Sequence, residues 1–125
     1  MATYRIDRLN RELLRLIAGM LRARIKNGAA SSAIITHVDC SRDLSHAKVF
    51  FTLLDESRRD ETARALESVR GVIRGMLGRE MHIRQIPELH FIYDDSERKA
   101  RSIDELIDRV IGEDRSRGSA PDRHV

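Results

Sequence analysis

Between Ile6 and Ile25 apolar residues return every three or four positions, a spacing that only a helix turns into a single face. Leu9, Leu13, Leu16, Ile17, Met20 and Leu21 share that face. The same rotation gathers Arg8, Arg11, Arg15, Arg22 and Lys26 into a strip of roughly 60° on the opposite side, with Glu12 the one acid nearby. A chain with this segment must supply a second layer to cover the apolar face, and it must leave the arginines in water. A cationic row of this kind suits a phosphate backbone, and it also suits plain solvation.

The period then changes. Asn27-Gly28 is a common helix exit and is expected to end the first helix. Ala33 to Cys40 is short and rich in β-branched residues, hence a strand. After Ser41-Arg42-Asp43, where the Asp43 side chain can close a turn on local N–H groups, Ser45 to Leu54 alternates strictly. Ala47, Val49, Phe51 and Leu53 point one way, toward a core, and His46, Lys48, Phe50 and Thr52 the other. The two strands form a hairpin. Ala63, Leu66, Val69, Ile73 and Leu77 mark a second helix, which Gly71 is expected to interrupt, as a kink or a close backbone approach, and which Gly75 and Gly78 loosen. Pro87 bars further helix, and Leu89, Phe91 and Tyr93 alternate with His90, Ile92 and Asp94 as a third strand. Ser102 can cap a last short helix. The pattern predicts an α+β domain over residues 1–112, helix-strand-strand-kinked helix-strand-short helix, with helices on one face of a three-stranded sheet. Residues 113–125 are polar and are expected to be a disordered tail.

The chain has 125 residues and a net charge of +3, but the charge is unevenly placed. Arg5 to Lys26 contains seven bases and two acids, a net +5, so the remainder is slightly acidic. That local excess points to an anionic partner more firmly than the overall balance does. Cys40 is the single cysteine, so no intrachain disulfide can form. Arginines interrupt the first residues from Arg5 onward, where a signal peptide would be apolar, and no apolar run is long enough for a bilayer. A cytoplasmic protein with no membrane contact is expected.

Four ordered motifs narrow the identity. They are Val38-Asp39-Cys40-Ser41-Arg42-Asp43-Leu44, then Ala47 to Thr52, then Gly71-Val72-Ile73-Arg74-Gly75-Met76-Leu77-Gly78, and last Ile86-Pro87-Glu88-Leu89-His90-Phe91 running on to Ser96. The element order resembles a type II KH domain. Together with the motifs, from about Arg5 to Ile111, it resembles bacterial ribosome-binding factor A. The resemblance implies a non-enzymatic factor that needs no cofactor or metal and binds 16S rRNA on the free small (30S) ribosomal subunit. It further implies a role in late subunit maturation and in processing the 5′ end of the 16S precursor. Two segments depart from the family pattern. Val69-Arg70-Gly71 stands where the family usually has Ala-x-Gly, and Glu97-Arg98-Lys99-Ala100-Arg101 replaces a glycine-rich segment after the third strand.

The candidate RNA-binding residues are Arg8, Arg11, Arg15 and Arg22 on the first helix, Lys48 on the hairpin, Arg70, Gly71 and Arg74 around the expected kink, and Arg79 and Arg84 beyond it. Arg70 and Arg74, four apart, share a helix face and are expected to face solvent. Lys48 suits either a solvated strand or a phosphate. His37 and Cys40 have a superficial look of a zinc pair, but three positions apart on a strand they point to opposite faces. Asp94 and Asp95 read as turn acids and lack further ligands at metal spacing. An enzyme would need a His–carboxylate or clustered carboxylate arrangement, for which the sequence offers no convincing candidate. Phe50 and His90 are the rings expected on the strand face away from the helices, too few for a binder that grips single strands by stacking. Recognition by shape and backbone charge is therefore expected, in a protein acting as a monomer. The alternative within the same fold is a KH-type regulator of transcripts.

Overall fold

A computed structural model describes residues 2–96, the first three of them by their backbone, and residues 106–107. The chain divides into two compact units, residues 1–94 and 95–125. Of the second unit only residues 95, 96, 106 and 107 are described, and Leu106 and Ile107 are helical. The expected Ser102 cap and the polar tail lie outside the described residues.

In the first unit helix α1 (Ala2–Ala23) precedes a short α2 (Gly28–Ser31), strands β1 (Ile34–Cys40) and β2 (His46–Thr52), helix α3 (Arg59–Glu80) and strand β3 (Glu88–Tyr93). The sheet order is β1-β2-β3. β1 and β2 are an antiparallel hairpin, whereas β2 and β3 run parallel, with Ala47 opposite Leu89, Val49 opposite Phe91 and Phe51 opposite Tyr93. A parallel pair cannot be joined by a tight turn, so α3 makes the crossover.

One apolar cluster holds the two layers together. Leu13, Ile17 and Leu21 of α1 and Leu66, Ile73 and Leu77 of α3 meet Val38, Val49, Phe51 and Leu89 of the sheet, all essentially without solvent contact. Each such side chain contributes about 1.5–3 kcal/mol by leaving water. Phe51 meets the edge of Tyr93 with ring centroids 5.6 Å apart, and the Arg59 guanidinium lies 5.0 Å from the centre of the Tyr93 ring. Within the first unit the helices pack on one sheet face, and the other face carries the exposed side chains of His37, Asp39, His46 and Lys48.

The hairpin turn is built as expected. The Asp43 carboxylate accepts from the Ser45 backbone N–H at 3.1 Å and from the hydroxyls of Ser41 and Ser45, each at 2.7 Å. Those donors hold its carboxyl at about 2, below the ordinary 3.8, so the acceptor stays charged well into acid. The turn also places Leu44 at φ 61, in the left-handed region.

Two expectations about the helices are corrected. Asn27-Gly28 does not close α1. The Ile25 N–H donates to Met20 C=O at 3.0 Å beyond the helix end, and Asn27 caps the next helix, its Oδ1 accepting from the Ala30 N–H at 3.1 Å. Asparagine caps either helix end, and here the N-terminal role prevails. Nor is α3 interrupted. It is α-helical without a break through Gly71, Gly75 and Gly78 to Glu80, and Met81 closes it by donating to Leu77 C=O. A Cβ placed on Gly71 would meet nothing within 4 Å, so no close approach requires the glycine.

Gly71→Ala should therefore raise stability by about 0.4–1 kcal/mol, because it restricts the unfolded chain without a clash in the folded one. Thermal unfolding checks this, and a lowered midpoint would show that the position needs glycine.

Candidate nucleic-acid interface

The apolar face of α1 is tied to the sheet, which aims its other face outward. Besides the buried leucines and isoleucine, Asn10 lies on the sheet side and its Oδ1 accepts from the Cys40 N–H at 2.9 Å. β1 is an edge strand, and this contact satisfies one of its outward N–H groups. A polar residue on the apolar arc of the wheel is the signal that could have revealed Asn10 from the sequence.

With the helix so held, Arg8, Arg11, Arg15 and Arg22 stand exposed, and none has an ion pair or hydrogen bond among the described residues. Fourteen residues separate the first from the last, so the row extends about 21 Å along the axis. Arg8 and Arg11, and Arg11 and Arg15, are like-charged neighbours at three or four positions, arrangements that each cost a few tenths of a kcal/mol in a free helix. A polyanion removes that cost. Arg24 is different, since its guanidinium meets Glu80 at 2.9 Å.

Arg70 and Arg74 of α3 are engaged elsewhere. Arg74 donates from Nε to Pro87 C=O at 3.1 Å and from Nη2 to Ile86 C=O at 2.8 Å. Arg70 donates to Leu89 C=O at 3.4 Å and pairs with Glu67 at 3.1 Å. Both side chains are half-buried where solvent exposure had been expected, because the segment leading into β3 lies along α3 and presents its carbonyls there. Gly71, Arg79 and Arg84 are exposed.

Lys48 is exposed on the open sheet face, opposite Asp39 on one side and His90 on the other. More rings gather here than the two expected. His37 and Phe50 have ring centroids 5.7 Å apart, and His46 Nδ1 lies 2.9 Å from His90 Nε2. At the end of the face the Thr36 hydroxyl donates to Asp94 Oδ2 at 2.6 Å, and the Asp94 N–H donates to Phe51 C=O, so this acid serves the strand end as expected of a turn acid. An open pocket between α1 and the edge of β1 is lined by Asp7, Asn10, Arg11, Leu14, His37 and Val38.

The described residues contain no group of three or more potential metal ligands. Cys40 is buried, and burial with the neighbouring Asp39 charge pushes its thiol up to about 11, which keeps it protonated and a poor nucleophile or ligand. Exposed His37 and buried Cys40 do point apart.

Replacing Arg74 with Ala should destabilise the domain by about 1–3 kcal/mol, since two half-buried carbonyls lose their donor. Lys in its place should restore only part, having charge but no fork. Urea unfolding of both variants checks this; unchanged stability in the Ala variant would show that Arg74 is idle in the fold.

A family model described as ribosome-binding factor A matches residues 5–107. Ribosome-binding factor A of Thioalkalivibrio sulfidiphilus is 37% identical over 113 residues, 90% of this chain and 88% of that protein. Among solved structures, the crystal structure of ribosome-binding factor A from Thermus thermophilus superposes with a TM-score of 0.64 at 23% identity, over 70% of this chain and 93% of that one. Coordinates of the Thermus thermophilus factor fitted into an electron cryomicroscopy map of its 30S complex superpose with a TM-score of 0.56 at 22% identity, over 68% and 90% of the two chains. These structural likenesses show the same fold.

Proposed function

The chain belongs to the ribosome-binding factor A family, and on that footing we propose that it binds the free 30S subunit through 16S rRNA and supports late subunit assembly and 5′-end processing of the 16S precursor. The observation that carries this reading is the row Arg8, Arg11, Arg15 and Arg22. Four guanidiniums without an acidic partner among the described residues are aligned on a helix whose other face is anchored in the core. The 30S complex of the Thermus relative supports the choice of partner.

The role is one of binding, by a monomer, in the cytoplasm where subunits mature. No helix among the described residues is long and apolar enough to cross a membrane. Guanidinium forks on phosphates hold a backbone in place without reading bases, which suits a folded rRNA surface. Arg70 and Arg74 contribute indirectly, by holding β3 in register. Lys48, Gly71, Arg79 and Arg84 remain candidate contacts outside the row.

Co-sedimentation with purified 30S subunits over a range of KCl tests the reading. Each phosphate contact adds about 0.7–0.9 to the log–log salt slope, so four should give a slope near −3. Changing Arg8, Arg11, Arg15 and Arg22 together to Gln should flatten that slope and weaken binding while preserving the melting temperature, and cells with the variant should accumulate unprocessed 16S precursor. A flat slope in the wild type, or unaltered binding in the variant, would put the interface elsewhere.

A further inference from the structure

The open face of the sheet carries chemistry that the α1 row does not use. His37 of β1 and Phe50 of β2 are register partners on this face, their rings 5.7 Å apart and inclined by 35°. His37 is exposed, and Phe50 and Ile92 beside it are half-exposed. Farther along, Lys48 and the His46–His90 pair continue the same face. Three of the four rings carry nitrogen, and among the described strand residues only Ile34 and Ile92 add aliphatic surface to this face, so it is poorly suited to a greasy protein partner. Flat π-surfaces next to cations are what an unpaired nucleobase seeks.

Continuity with the α1 row fixes the direction of approach. Arg11 of that row and His37 of this face line the same open pocket at the β1 edge. Asp7, on the pocket wall, repels a phosphate but accepts hydrogen bonds from the amino edge of a base. Asp39 and Glu88 lie toward the Lys48 end, and Asp7 and Asp94 toward the His37 end, so it is the pocket shared by Arg11 and His37 that sets the approach.

We infer that the open sheet face is a second RNA site, at which a short unpaired segment leaves the α1 row at Arg11 and stacks a base on the His37–Phe50 platform. The site rests on the preceding reading for the source of that segment, an unpaired stretch of ribosomal RNA, and for the α1 row that the segment leaves. Its chemistry asks for any single strand with an accessible base.

The test is fluorescence anisotropy with a fluorescein-labelled, unstructured RNA octamer and the full chain, alongside 30S co-sedimentation. Phe50→Leu keeps an apolar side chain and removes the ring. It should weaken octamer binding on the order of ten-fold, the loss of one stacked base. Phe50→Tyr should retain binding, and His37→Gln, at an exposed position, should weaken it without disturbing the fold. Wild-type binding to the octamer in Phe50→Leu and His37→Gln overturns the site. So does a wild-type protein that ignores the octamer, and so does a Phe50→Leu variant that loses the 30S subunit while keeping the octamer, which would mean a protein partner. Octamer binding that depends on Phe50, in a protein that does not sediment with 30S subunits, would support the site and refute the choice of the ribosome.

Discussion

Parallel pairing of β2 with β3 obliges the chain to leave the sheet after Thr52, cross it, and re-enter beside its own starting end at Glu88. Helix α3 makes that crossing, and its inward residues Leu66, Ile73 and Leu77 fill the core as it does so. The landing is a segment whose carbonyls would otherwise be left at a half-buried edge. The Arg74 fork takes the carbonyls of Ile86 and Pro87, and the Glu88 N–H donates to Ser45 C=O as the first bond of the new strand pair. Register follows from these contacts, and with it the identity of every residue on the open face.

The two sheet edges are managed in the same manner. Asn10 of α1 accepts from Cys40 on the β1 edge, and Arg70 of α3 donates to Leu89 on the β3 edge. Unpaired edge groups invite pairing with other chains, and side chains from the covering layer blunt both. The consequence for function is a division of labour among cations of one type. Arg70 and Arg74 of α3 are spent on backbone carbonyls, whereas Arg8, Arg11, Arg15 and Arg22 of α1 find no acceptor among the described residues.

The two long helices, the three strands, the hairpin and the cationic row could be read from local periods, because each depends on neighbours within a few positions, whereas the four-residue α2 is too short to show a period. The misreadings share an opposite cause. Arg70 and Arg74 look like a solvated i, i+4 pair until their acceptors arrive from 12 to 19 residues away. Gly71 looks like a break because glycine weakens an isolated helix, yet core packing on both sides of it carries α3 through. The ring cluster on the open face was undercounted because the β2–β3 register, set by the crossover, is what brings His46 to His90. In the sequence His37 stands out only beside Cys40, as half of a zinc pair that strand geometry rejects.

In the proposed complex the arginine row of α1, rather than the Arg70 and Arg74 pair of α3, holds the phosphates of the small subunit. An electron cryomicroscopy structure of this chain bound to 30S subunits tests it most directly. The expected result is the guanidiniums of Arg8, Arg11, Arg15 and Arg22 within hydrogen-bonding distance of phosphate oxygens, with Arg74 still holding the carbonyls of Ile86 and Pro87. A complex in which α1 faces solvent, or in which Arg70 and Arg74 have left their carbonyls for rRNA, would contradict it.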